Sequence, residues 1–341
     1  MYDYVIVTHI PVFYKVNLYN ELSKKLNIFV IFISGDTSEK RADDFVSLEN
    51  AEFKYEVLSD GDFQSRNQFT NIRKIKDIIK SIEYKKVLVS GWELGEFWYL
   101  VFFYPKSKNC LALESTVRES STIGIKGVIK KLFLSRISTV FASGALHIEL
   151  LNALGYKSEI KVTKGVGIIN KTEFARKEKR YQKRFLYIGR LSKVKNLKTL
   201  IELFNSLEEY FLTIVGDGEE KESLAKMAKS NIIFKEPIEN KKLKDEFLNN
   251  DIFILPSMIE PWGLVIEEAL YFGLPVIVSQ NCGSVELIKN GVNGYIFDPK
   301  DNKNLKDIII NIDAKRYDEL LAGVKEFSID DKDRNQISSY I

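Results

Sequence analysis

The chain has 341 residues, 45% of them hydrophobic, and 50 Lys and Arg stand against 47 Asp and Glu for a formal net charge of +3. That length exceeds what one hydrophobic core usually fills, so two domains are expected, and the near-neutral balance gives nucleic acid no electrostatic foothold. Two cysteines (Cys110, Cys282) and two histidines (His9, His147) are too few for a disulfide or metal framework, so neither a metal nor a cofactor is expected. The N-terminus carries an acid, no basic segment and an apolar run too short for a signal peptide. No run reaches the roughly 18–20 apolar residues that cross a bilayer, the nearest being the aromatic segment 97–104. A reduced, cytoplasmic protein is the expectation.

From the start of the chain, apolar runs at 4–8, 28–33, 86–90, 109–113 and 138–142 read as strands buried on both faces. Helical patterns lie between them at 16–26 and 72–82, the second with Ile72, Ile75, Ile78, Ile79 and Ile82 on one face. A polar, basic stretch at 171–183 reads as a surface loop. The alternation then restarts, with strands at 184–188, 211–215, 231–234, 251–255 and 275–278 and helices at 196–206, 219–229, 241–249 and 264–272. Two successive βαβ series predict two Rossmann-like, doubly wound parallel-sheet domains of α/β class facing across a cleft. The expected bounds are 1–162 and 163–325, with a helix at about 326–341 closing back on the first domain.

The segment from Pro256 to Leu270 carries the strongest chemical signal. A strand ends, a loop carries Glu260, and Pro261 and Gly263 precede a helix. The unpaired N–H groups of Gly263, Leu264 and Val265, with the helix dipole, suit a diphosphate. Glu268, one to two turns on, suits paired sugar hydroxyls, as acidic residues do for ribose in dinucleotide folds. Earlier, Gly189 ends another strand and Arg190 and Lys195 follow, a guanidinium fork and a mobile ammonium that could neutralise a diphosphate without metal. Gly216-Asp217-Gly218 would let a ligand approach the backbone and is equally a simple turn.

These residues resemble the retaining glycosyltransferases of family 4, which have the GT-B fold. The resemblance runs over 183–298 through Gly189-Arg190-Leu191 with Lys195, Gly216-Asp217-Gly218, the paired Glu260 and Glu268, and the continuations at 273–276, 282–288 and 290–295. It is looser over the first domain, where 10–19 is similar to the opening of bacterial polysaccharide- and lipopolysaccharide-assembly members. It implies that Arg190 and Lys195 bind the donor diphosphate and stabilise its growing charge, and that Glu268 holds the ribose. It further implies that Glu260 contacts the transferred sugar, that residues 263–265 cap the phosphates, and that Gly216 and the backbone near Pro237 line the donor. The donor it implies is a nucleoside diphosphate sugar, UDP preferred and GDP the alternative, and the implied acceptor is a glycan or lipid-linked glycan. Other readings of the same pattern are a nucleotide-sugar 2-epimerase and a non-catalytic sugar-nucleotide-binding subunit.

The chain departs from that family on the acceptor side. Strand 109–113 runs into Glu114 where many members place a histidine, and Lys164-Gly165-Val166-Gly167 replaces the usual Asn-Gly-Val-Asp. Glu114, and His9 at the end of the first strand, are the acceptor-side candidates. His147, in a helical pattern, reads as structural. Residues 123–136 hold Ile125, Val128, Ile129, Leu132 and Phe133 on one helical face, with Lys126, Lys130 and Lys131 mostly opposite. This segment is either a core-packed helix with solvated lysines or a docking surface for an anionic, inner-face membrane.

Overall fold

Parallel pairing of the buried apolar runs builds two separate sheets. The computed structural model describes every residue except 39–41, 43 and 176–178, and these divide into one unit of Met1–Asn170 with Lys332–Ile341 and a second of Lys171–Asp331. The first unit runs β1 (Tyr2–Thr8), α1 (Phe13–Ser23), β2 (Ile28–Phe32), β3 (Lys54–Val57), α2 (Gln68–Ser81), β4 (Tyr84–Val89), α3 (Gly95–Phe103), β5 (Asn109–Leu113), α4 (Gly124–Leu134), β6 (Thr139–Ala142), α5 (Ala145–Ala153) and β7 (Glu159–Val162). Its strand order is β3-β2-β1-β4-β5-β6-β7, all parallel.

The second unit runs β8 (Arg184–Ile188), α6 (Leu197–Asn205), β9 (Phe211–Val215), α7 (Lys221–Met227), β10 (Ile232–Lys235), α8 (Lys244–Asn249), β11 (Ile252–Leu255), α9 (Leu264–Tyr271), β12 (Val276–Ser279), β13 (Gly294–Phe297), α10 (Asn302–Ile310) and α11 (Ala314–Lys325). Its order is β10-β9-β8-β11-β12-β13, again all parallel. A final helix, α12 (Ile329–Ser338), begins in the second unit and ends in the first. Both sheets are Rossmann-like. In each, the strand order reverses beside the first strand, between β1 and β4 and between β8 and β11. In open sheets of this kind, loops diverge at such a reversal, and ligands as a rule bind outside the carboxyl ends of the strands there.

Central strands are wholly apolar where helices cover both faces: Ile252, Phe253, Ile254 and Leu255 of β11 are all buried. Each such side chain contributes roughly 1.5–3 kcal/mol by leaving water. The isoleucine row of α2 also turns inward, with Ile75 and Ile79 buried, and the Asn67 side chain caps its start by accepting from the Thr70 N–H at 3.0 Å. Cys110 and Cys282 are free, buried and in different units.

Two boundaries differ from the sequence expectation. The hinge expected near 162 lies at Asn170 instead. β7 still pairs with β6, and the following segment stays tied to the first unit: Thr163 N–H donates to Ala142 at 2.9 Å, Ile168 N–H to Tyr14 at 2.9 Å, and Asn17 to Asn170 at 2.9 Å. The helix expected at 326–341 is shorter, and the chain rejoins the first unit at Lys332. There the Lys332 ammonium, itself buried, donates to the Gly167 carbonyl at 3.0 Å, and Tyr340 stacks on Phe141 with centroids 4.4 Å apart. Within 171–183, residues 176–178 lie outside the described residues.

His147 is wholly buried in α5, and that burial pushes its imidazole down to about 4. The folded chain therefore keeps His147 neutral where the unfolded chain, titrating near 6.5, binds a proton. Between those values the unfolded state holds more protons, so stability falls as pH drops from 6.5 towards 4. His147→Gln is expected to flatten that slope by up to roughly 3 kcal/mol, read from urea unfolding at neutral and acid pH. Identical slopes in both proteins would contradict it.

Candidate functional site

The loops after β8 and β11 carry Arg190, Lys195 and Glu260. β8 ends at Ile188, Gly189 turns the chain, and Arg190 follows, exposed, with its carbonyl accepting from the buried Tyr187 hydroxyl at 2.9 Å. A single 3₁₀ turn at Lys193–Lys195 then sets Lys195 ahead of α6. From the other strand, the loop after β11 carries Ser257 and Glu260. The Lys195 ammonium and the Glu260 carboxylate form an ion pair, their side chains 18% and 14% exposed. Ser257 adds a long 3.4 Å contact to the same carboxylate oxygen.

The loop that holds Glu260 is fixed from downstream. Glu260 and Cys282 form a β-bridge, Gly283 N–H donates to the Glu260 carbonyl at 3.0 Å, and Ser284 N–H donates to the Trp262 carbonyl at 2.9 Å. A Cβ on Gly283 would stand 2.0 Å from the Pro261 carbonyl oxygen, so only glycine allows this approach. The run 282–284 is thus part of the site's frame. Pro261 lies before the helix and does not begin it: Gly263 is the N-cap, in the left-handed region at φ 89°, ψ 61°. Leu264 and Val265 follow, and their N–H groups precede the first intrahelical acceptor. The Ser284 hydroxyl is buried with no hydrogen-bond partner among the described residues, 3.3 Å from where a Gly263 Cβ would sit.

The neighbouring glutamates of α9 divide their work. Glu267, fully buried, accepts from the Trp262 indole at 2.6 Å and anchors the loop. Glu268, also buried, accepts from the Asn240 amide at 2.5 Å. Asn240 opens a short 3₁₀ turn three residues past Pro237, so this bond ties the Pro237 loop to Glu268. Neither Asn240 nor the Trp262–Glu267 bond is legible from residue spacing.

Gly216 and Gly218 are tightly packed: a Cβ on Gly216 would lie 2.0 Å from the Gly189 carbonyl oxygen, and one on Gly218 2.4 Å from that of Leu191. The two glycines let the β9 loop press against the β8 loop.

In the first unit, His9 and Glu114 occur in two separate side-chain pairs at strand ends. His9, just past β1, pairs with Glu93 in the loop after β4, and its ring meets Phe97 edge-on at 5.3 Å. Burial pushes the Glu93 carboxyl up, but His9 and the Trp92 N–H outweigh it and hold Glu93 below the ordinary range. Glu114, just past β5, takes the buried Lys15 ammonium at 2.5 Å, and Lys15 also reaches Thr8 at 3.3 Å. Burial pulls Lys15 down, but the charges of Glu114, Tyr14 and Tyr19 outweigh it and raise it above the ordinary lysine range. The sequence reading missed both Glu93 and Lys15, because each meets its partner only through the strand order.

A family model described as glycosyl transferases group 1 matches residues 169–340. A 41.2 kDa protein in the cps region of Klebsiella pneumoniae is 26% identical over 159 residues, 46% of this chain and 44% of its own length. The chain thus spans under half the length of the curated relatives it matches. Among solved structures, the lipopolysaccharide outer core galactosyltransferase WaaB in its apo form superposes with a TM-score of 0.73 at 17% identity, covering 99% of this chain and 98% of the other. The Anabaena protein HepE in complex with UDP-glucose superposes at 0.71 and 14% identity, covering 98% of both chains. At such identities these two likenesses carry the fold.

The Lys195–Glu260 pair yields a stability test. Removing either partner strands the other in a mostly buried setting, so Lys195→Ala and Glu260→Ala should each cost about 1–3 kcal/mol. The double substitution should cost less than the sum of the two, with a coupling of about 1 kcal/mol or more in a thermodynamic cycle. Strict additivity would show that the pair does not form.

Proposed function

This chain belongs to the glycosyl transferases group 1 family, and on that premise we propose that it moves a sugar from a nucleoside diphosphate to a glycan or lipid-linked glycan, as in bacterial surface polysaccharide synthesis. One observation carries the proposal. A lysine, a glutamate and an open helix start stand together at the switch point of the second sheet. A diphosphate needs cations and N–H donors, and a sugar ring needs acceptors for its hydroxyls. Lys195 and Arg190 supply the first, with the N–H groups of residues 263–265 and the Ser284 hydroxyl, which has no partner among the described residues. Glu260 supplies the second, and Glu268 with the Pro237 loop suits the nucleoside.

In the reaction the acceptor oxygen bonds to the anomeric carbon while the bond from that carbon to the diphosphate oxygen breaks. The electron pair leaves with the diphosphate, which takes up the hydroxyl proton. Negative charge therefore grows on the phosphates, where Lys195, Arg190 and the helix start strengthen their hold in the transition state. Family resemblance supports retention at the anomeric carbon and a reaction without metal. UDP is the preferred nucleotide. On the first unit, His9–Glu93 and Lys15–Glu114 set charged groups at strand ends, where they suit acceptor hydroxyls.

Lys195→Ala and Glu260→Ala are each expected to lower kcat/KM by about 10²–10³-fold, with Arg190→Ala also impaired. Transfer that survives Lys195→Ala and Glu260→Ala together would refute the site. Screening UDP, GDP, ADP and dTDP by thermal shift should give the largest rise with UDP, because a ligand bound only by the folded state stabilises it. Incubation with donor alone should leave the sugar unchanged, since turnover without acceptor would identify an epimerase.

A further inference from the structure

α4 turns its apolar row away from the core. At about 100° per residue, Ile125, Val128, Ile129 and Leu132 occupy one arc of the helix, and they are 80%, 66%, 46% and 51% exposed. The opposite arc is the one that packs inward: Gly127 and Leu134 are buried there, with Phe133 at its margin. Phe133 meets Trp98 of α3 at 5.0 Å, and Lys130 donates to the carbonyl of the exposed Ser121 at 3.0 Å. This overturns the expectation of a core-packed apolar face. A side chain at Gly127 would strike the Thr122 carbonyl at 2.2 Å, so the segment before α4 closes over its core side, not its apolar row.

The same geometry places Lys126 and Lys131, both exposed, on either flank of the outward apolar arc. The patch extends at both ends. Ile123, 80% exposed, precedes the helix, and the exposed Phe102 and Phe103 end the neighbouring α3, with Arg136 over the Phe102 ring at 5.8 Å. Five basic residues stand between 118 and 136 against a single acid, Glu119, in a chain whose net charge is only +3. That acid is held by Thr116.

We propose that α4 and the end of α3 dock the first unit on an anionic bilayer surface. An outward apolar arc flanked on both sides by lysines matches a helix lying in the plane of the interface. The isoleucines, valine and leucine enter the acyl boundary while the lysines reach up to phosphate headgroups. A protein partner would meet the apolar arc but leave the basic excess uncompensated, whereas acidic headgroups satisfy both. At eleven residues α4 is too short to span a bilayer, so it binds along the surface. The surface is separate from the donor site, and binding is read without transfer, so failure of either reading leaves the other standing.

The test is co-sedimentation of the full chain with vesicles of phosphatidylglycerol and phosphatidylethanolamine, against vesicles of phosphatidylcholine alone. Binding is expected to the anionic vesicles, weakening as salt rises. Val128→Asp with Ile129→Asp should lower it by at least tenfold. Lys126→Glu with Lys131→Glu should lower it by about tenfold or more. All four positions are exposed, and circular dichroism should be unchanged. Three results would overturn the proposal: no binding to anionic vesicles, equal binding to both vesicle types, or binding untouched by both pairs of substitutions. A dimer by light scattering that Ile129→Asp dissolves, without vesicle binding, would assign the face to a second copy of the chain instead.

Discussion

The ion pair between Lys195 and Glu260 is the constraint around which the second unit is arranged. Two opposite charges sit at the reversal of the sheet, mostly withdrawn from water, and each makes the other tolerable there. The surroundings exist to hold that geometry. Gly263 takes a left-handed backbone so that α9 can begin directly after the Glu260 loop, and Gly283 lets residues 282–284 lie against residues 260–262. Trp262 is pinned by Glu267. The outcome is an ammonium, a carboxylate and the first N–H groups of α9 held in one fixed arrangement. Groups aligned in advance avoid the reorganisation that water would demand at the moment of reaction.

Two adjacent glutamates show how closely structure and chemistry are interleaved. Glu267 is spent on anchoring the loop, and Glu268 on binding the Asn240 turn. Exchanging their neighbours would break both. In the first unit the same topological rule recurs, and the ends of β1, β4 and β5 carry His9, Glu93 and Glu114. The buried Lys15 makes Glu114 one half of an ion pair and not an isolated carboxylate.

What the sequence made legible follows burial. Strands covered on both faces, such as β1, β6 and β11, read as unbroken apolar runs. The strands that escaped, β3, β7 and β13, lie at sheet edges, where one side meets solvent and Lys54, Glu56, Glu159 and Lys161 interrupt the run. The expected boundary fell eight residues early because the segment after β7 is held to the first unit by bonds to residues distant in the chain, Ile168 to Tyr14 and Asn170 to Asn17. In the site, local motifs such as Gly263 and the residue types around Glu260 could be read, because a helix start and its loop are consecutive in the chain. Partners joined only by strand order could not be: Glu93 for His9, Lys15 for Glu114, Asn240 for Glu268. The sequence leaves α4 open between two readings for a related reason. Helical spacing reveals that an apolar face exists, but not which way it points, and here Gly127 and Leu134 face the core.

The most direct test is a crystal structure of the chain with UDP. The account predicts the diphosphate at the β8/β11 switch point, its oxygens within about 3 Å of the Lys195 ammonium and of N–H groups in residues 263–265, with the ribose beside Glu268. A nucleotide lodged elsewhere, or held at that point while Lys195 and the α9 start make no contact with phosphate, would contradict it.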